Sequence, residues 1–178
     1  MHGFVIVLLP EDTIRQDKIK LLMKIEEHVY PYKRFYHKGD DRPCRCTEHG
    51  TSPESNCEDC QGTGRTRRNP KGKLDYWLLG GRFDGYIRTG KTDPEKSIGN
   101  FLLEFVYGQT AVNGLLFHED EHDDVDTNVV SAAQINISVL KENWITPDVG
   151  WVEDIFTVTD DPREHYKGYW AVGLDYHR

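Results

Sequence analysis

From Gly39 to Gly72 the chain runs for more than thirty residues on Gly, Pro, Ser, Thr, Cys and charged side chains, with hardly an aliphatic residue among them. Such a stretch cannot build a hydrophobic core of its own. A loop of that length is uncommon inside a compact domain unless something else orders it. All four cysteines fall inside it, as Cys44-Arg45-Cys46, then ten residues, then Cys57-Glu58-Asp59-Cys60. Two close pairs joined by a loop are the arrangement of a tetrahedral thiolate site, each pair supplying two sulfurs from a tight turn. Met1-His2-Gly3 lacks the basic and long apolar segments of a secretory signal, so a cytoplasmic location is expected and metal is favoured over disulfides. Among thiolate metals, a closed shell of four sulfurs points to structural zinc ahead of an iron-sulfur cluster. Two disulfides or a redox dithiol are the competing readings. His49 lies between the pairs as a spare ligand, and the C-x-C arm makes Cys44 the sulfur least fixed by spacing.

The run Cys57-Glu58-Asp59-Cys60-Gln61-Gly62-Thr63-Gly64 resembles the C-x-x-C-x-G-x-G unit of the DnaJ-type cysteine-rich domain. In that unit the glycines let the backbone turn around the metal and bring amides to the sulfurs. DnaJ domains carry several such units. This chain carries one beside a C-x-C, so the resemblance implies a zinc site and not a co-chaperone.

The remaining sequence provides one core for 178 residues, with 37 % hydrophobic and 11 % aromatic residues despite a formal charge of -8. These values exclude global disorder, and no apolar run is long enough for a membrane span. Residues 3–9, ended by Pro10, form a continuous apolar stretch that predicts a buried strand. Asp12 or Thr13 can cap a helix carrying Ile14, Ile19, Leu22, Met23, Ile25 and Val29. Asp93-Pro94-Glu95 predicts the start of a second helix, running to Tyr107. Val129 to Leu140 is ambiguous between helix and strand, whereas 144–146 and 151–153 read as strands around a Pro147-Asp148-Val149-Gly150 turn, and 169–176 as a closing strand. The expected fold is α+β. A small antiparallel or mixed sheet is packed by two helices in a single domain over 1–178, with a zinc-bound insertion at 39–72.

Two further tracts carry candidate chemistry. Arg65, Arg67, Arg68, Lys71 and Lys73 follow the last cysteine with no acid between 65 and 73, a charge run that can meet a host protein's acidic face or nucleic acid. A solvated loop offsetting the acidic balance is the plainer alternative. The run Leu74 to Tyr86 then packs three glycines, Arg82 and several aromatics closely together. Arg82 can hold a carboxylate or phosphate in a bidentate fork beside Tyr76 and Trp77, with Asp75 and Asp84 as polar handles. The alternative is a tight turn locked by buried aromatics and an Arg82 ion pair. From Asp75 to Gly85 the sequence resembles a family of uncharacterised bacteriophage and mobile-element proteins, whose signature is aromatic-Asp-aromatic followed by Gly-Gly-Arg-aromatic-x-Gly. That resemblance implies a shared fold and a bacterial host cell, and supplies no reaction.

His118-Glu119-Asp120-Glu121-His122 formally matches the H-E-x-x-H of zinc peptidases, but its spacer and continuation are acidic where a zincin helix needs apolar backing. Six carboxylates between Glu119 and Asp126 read instead as a solvated acidic loop, with capacity for a divalent cation. No nucleophile elbow, P-loop or dinucleotide fingerprint is present. The expected function is therefore a non-enzymatic, zinc-stabilised protein of a phage or mobile element that binds a host macromolecule in an anti-defence or regulatory role. A small-ligand or nucleotide site around Arg82 is the main alternative, and a metallopeptidase the weakest.

Overall fold

The structure, a computed structural model, describes residues 2–13, 17–36, 39–47, 52–53, 55–92 and 125–177. It mixes helices with a mixed sheet. The centre is β1 (His2–Pro10), flanked antiparallel by β8 (Tyr169–His177) and parallel by β6 (Asn143–Thr146). Beyond β6 lies β7 (Gly150–Val152), its antiparallel hairpin partner. Two short strands share the outer edge of β8: β4 (Tyr76–Leu79) along residues 174–177 and β5 (Val129–Ser131) along 170–172.

The position of β1 explains its unbroken apolar sequence. A strand covered on both faces cannot alternate polar and apolar residues. Val5, Val7 and Leu9 face one core, with Leu21, Leu22, Ile25 and Val29 of α1 (Lys18–Val29) and with Trp77 and Leu174. Phe4, Ile6 and Leu8 face a second core built on Trp144, Ile155, Tyr166 and Ile87, the last from the one-turn helix α2 (Tyr86–Thr89).

Several expectations from sequence are corrected. Asp17, not Asp12 or Thr13, caps α1, its side chain accepting from the Lys20 amide at 3.1 Å, while Thr13 closes a turn onto the Pro10 carbonyl. The buried stripe of α1 uses Leu21, which leaves Ile19 and Met23 more than half exposed. Val129–Leu140 is a three-residue strand followed by two 3-10 turns, Ala132–Gln134 and Ile137–Val139. The expected helix from Pro94 to Tyr107 and the H-E-x-x-H stretch at 118–122 lie outside the described residues. No helix among the described residues is long and apolar enough to cross a membrane.

Candidate metal centre

Between α1 and β4 the chain leaves the sheet to form a small knuckle. It is built on a two-residue ladder, β2 (Arg42–Pro43) against β3 (Arg65–Thr66), with one cysteine pair on each side. A 3-10 turn at Arg45–Thr47 carries Cys46, and the Thr47 amide and hydroxyl both close onto the Cys44 carbonyl, at 2.8 and 2.7 Å. On the other arm the Gln61 amide donates to the Cys57 carbonyl at 2.7 Å, and the Thr63 hydroxyl to that of Cys60 at 2.7 Å. The Cys44 amide donates to the Gly64 carbonyl at 2.8 Å and fastens one arm to the other.

These turns bring Cys44, Cys46, Cys57 and Cys60 together, their Sγ atoms all within 4.8 Å of one another. Cys44 to Cys57 and Cys46 to Cys60 are each 3.6 Å apart, too far for disulfides at about 2.05 Å. They are close to the roughly 3.8 Å edge of a sulfur tetrahedron drawn around zinc with bonds of about 2.3 Å. The four thiols are free of disulfides, with Cys44 and Cys60 buried. Burial pushes the Cys60 thiol up, but the Gly64 amide, the thiols of Cys46 and Cys57 and the Gly62 amide outweigh it and leave it lowered to about 7. Amides aimed at sulfur stabilise thiolate, the form that binds metal. The group can therefore hold a metal ion, and it is the one such cluster among the described residues. His49 lies outside them.

The knuckle is rooted in the body by backbone pairing. Lys33 bridges Leu74 and Phe35 bridges Arg68. The Arg34 amide donates to the Leu74 carbonyl at 2.7 Å, and the Tyr36 amide to that of Arg67 at 2.8 Å. Buried Asn69 donates its side-chain amide to the Pro31 and Lys33 carbonyls, both at 2.8 Å. Gly72 is required here, because a Cβ at that position would lie 2.5 Å from the Arg34 Cα. Under this root sits a buried ion pair, Lys33 Nζ to Glu26 Oε1 at 2.5 Å, while Glu26 Oε2 accepts from Trp77 Nε1 at 2.9 Å.

Between knuckle and body opens a groove of about 1040 Å³. Arg34, Arg42, Arg45 and Arg68 line it, with Phe35 and Tyr36 on its floor and Glu58 and Asp59 at the knuckle side. Phe35 is 56 % exposed, and the Arg42 guanidinium lies 5.4 Å from the centre of the Tyr36 ring. Beside it, sharing Pro70 and Gly72, lies a cleft of about 480 Å³ lined by Lys71, Lys73, Glu153, Tyr32 and Trp151, in which Lys73 pairs with Glu153 at 3.3 Å. The basic tract thus divides. Arg68, Lys71 and Lys73 border the groove and cleft, whereas Arg65 donates to the Asp41 carbonyl and Arg67 Nε to the Tyr36 carbonyl at 2.9 Å. Comparison with family models, curated proteins and solved structures finds no match. The groove is consequently read from its own chemistry.

The residues around Arg82 are distributed differently from the pocket drawn from sequence. Tyr76 and Trp77 are consecutive on a strand and so face opposite sides. Trp77 is buried in the α1 core, and Tyr76 stacks on His177 with ring centres 5.2 Å apart. Asp75 pairs with Arg34 at 3.3 Å and His177 at 3.5 Å. Asp84 accepts from the Thr127 hydroxyl at 2.8 Å and the Asn128 amide at 2.7 Å, and so closes the junction between β4 and β5. The Arg82 amide donates at 3.0 Å to Asp175, a carboxylate only 1 % exposed that also meets His2 Nδ1 at 3.1 Å. Gly81, at φ +52°, passes so close that a Cβ there would lie 2.6 Å from the Asp175 Cβ. The Gly80-Gly81 turn thus serves a close backbone approach to this buried aspartate.

The groove-lining residues Arg34, Phe35, Tyr36, Arg42 and Arg45 were not singled out by sequence reasoning. A signal for Arg34, Phe35 and Tyr36 exists in Tyr30-Pro31-Tyr32-Lys33-Arg34-Phe35-Tyr36-His37-Lys38, aromatics interleaved with cations ahead of the cysteines, whereas Arg42 and Arg45 lie beyond that run.

Proposed function

We propose that this chain is a non-enzymatic binding protein in which Cys44, Cys46, Cys57 and Cys60 hold one structural zinc ion. The zinc-braced knuckle and the sheet body together offer the groove to a macromolecule. The observation that carries this reading is the four-arginine, two-aromatic groove whose far wall stands on the cysteine cluster. Zinc is favoured by the donor set, since four sulfurs and no oxygen or nitrogen ligand make a closed shell with no open position for substrate. The setting we propose follows the resemblance at Asp75–Gly85: a phage or mobile-element protein acting on a host macromolecule in an anti-defence or regulatory role.

The alternative ligand site around Arg82 has less support, because Trp77, Asp84 and Asp175 are occupied in holding the fold. Metal analysis of the purified chain tests the first part, with one zinc per chain expected and its loss on Cys57→Ser. Affinity capture from bacterial lysate tests the second. A retained partner should be lost from an Arg42→Glu/Arg45→Glu double variant, and equal capture by both proteins would refute the groove as the contact surface.

A further inference from the structure

We infer that the groove takes single-stranded nucleic acid, with bases stacked on Phe35 and Tyr36 and phosphates held by Arg34, Arg42, Arg45 and Arg68. This rests on the groove being the contact surface, and names the class of its partner.

Charge supplies the first argument. Residues 33–73 carry ten Lys and Arg against six Asp and Glu, while the chain as a whole is at -8, so the segment stands out as cationic on an acidic protein. Four thiolates around a divalent ion return two of those charges, and they do so inside the knuckle. The cations that line the groove are arginines, whose planar fork matches phosphate oxygens and whose face stacks on rings. Two of them have carboxylate partners at the surface, Arg34 with Asp75 and Arg68 with Asp59. Exposed pairs of this kind contribute little and are readily exchanged for phosphate.

The rings supply the second argument. Phe35 leaves more than half of its surface in water while its backbone is fixed by the bridge to Arg68. Tyr36 lies next to it and already carries a guanidinium against its ring. Flat apolar surfaces between guanidinium groups are the platform on which unpaired bases stack. A duplex keeps its base faces inside the helix and gains nothing from such rings. An acidic peptide would use the arginines and leave Phe35 idle. Lys71, Lys73 and Trp151 line the adjoining cleft on the far side of Gly72, where the exposed Lys73–Glu153 pair is of the same readily exchanged kind.

The test uses the full, zinc-loaded chain and fluorescein-labelled dT12 and U12, read by fluorescence anisotropy between 50 and 200 mM salt. With four phosphates engaged, the salt slope for single strands is about -3, so affinity falls roughly 50-fold over that range. Phe35→Ala should weaken binding at least about fivefold by loss of one stacked base. Because that side chain is already exposed, circular dichroism should show the fold unchanged. A 12-bp duplex should bind more weakly than either single strand. Absence of binding at 50 mM salt overturns the inference, as does a Phe35→Ala chain of unchanged affinity, a duplex bound equally well, or polyglutamate competing as strongly as the oligonucleotide. If the oligonucleotides fail while Arg42→Glu/Arg45→Glu still abolishes lysate capture, the partner is a protein and only the inference falls. If that double variant loses nothing, the groove reading falls with it.

Discussion

Glu26→Ala is expected to be among the most damaging single changes on the face of the sheet that carries the knuckle. Glu26 lies on α1 with its carboxylate divided between two partners from different parts of the chain. One oxygen meets Lys33 Nζ at 2.5 Å and the other accepts from Trp77 Nε1 at 2.9 Å. Lys33 retains only 6 % of its side-chain exposure and Glu26 13 %, so water cannot replace either interaction cheaply. Removing one partner of a buried pair costs about 3–5 kcal/mol, because the remaining ion stays buried without compensation. An orphaned indole N–H alone costs about 1–3 kcal/mol. The two losses share one carboxylate and do not add fully, which places the expected cost at about 4 kcal/mol. With a urea slope of about 2 kcal/mol/M, the unfolding midpoint should fall by about 2 M, followed by far-UV circular dichroism. A Glu26→Leu/Lys33→Met double variant removes both charges and should recover the part of the loss due to the unpaired lysine, leaving about 1–3 kcal/mol from the Trp77 N–H that has lost its acceptor. A midpoint shift below about 0.5 M for Glu26→Ala would mean that the pair is solvated, and would refute the claim that it pins the root of the knuckle to the helix.

Gly81→Ala places a methyl group against Asp175 and holds a non-glycine residue at φ +52°, so it should destabilise by about 2–3 kcal/mol in a urea titration; a neutral result would mean that the junction between β4 and β5 adapts freely. Burial and the hydrogen bond to Asp148 push the Tyr166 hydroxyl up to about 12, against a smaller lowering by Thr146. A raised folded value favours the protonated form, so this contribution to stability is complete below pH 10 and is lost as pH rises from 10 to 12. Melting temperature should therefore decline across that window, and Tyr166→Phe should flatten this part of the decline; an identical alkaline profile in the variant would exclude Tyr166 as its source.

The sheet was the more legible part of the fold. β1 reads directly as a strand because two-sided burial leaves no polar side chain between residues 3 and 9, and β6, β7 and β8 follow from aromatic and β-branched runs set off by the 147–150 turn. The start of α1 was harder to place. Asp12, Thr13 and Asp17 are all competent caps, and only the packing of Leu21 beside Leu22 and Ile25 selects Asp17. Local pattern also misplaced Ile19 and Met23, since their helical spacing puts them on a face that no described element covers. The cysteine cluster was visible as two pairs, because metal geometry constrains spacing strongly. The groove was not, because Phe35 and Arg68 are neighbours only through a bridge between distant segments.

The two walls of the groove are held by different physics, which ties its shape to the metal ion proposed for the cysteine cluster. The floor, from Arg34 to Tyr36 and from Arg68 to Gly72, is fastened to the sheet body by backbone pairing, by buried Asn69 and by the Glu26–Lys33 pair beneath it. The facing wall, with Arg42, Arg45 and Asp59, belongs to a segment with almost no aliphatic side chains, and its order rests on a two-residue ladder, on the turn and inter-arm hydrogen bonds of the knuckle and on the ion proposed for the four sulfurs. Ligation free energy in such a segment is folding free energy. Loss of the ion should therefore leave floor and sheet intact while the wall loses its fixed position, so the cations of residues 42–45 would separate from the aromatic floor. A ligand that spans both walls would in turn favour the metal-bound form by linkage. On this reading the knuckle holds half of a binding surface at a set distance from the other half, and needs no chemistry of its own at the metal.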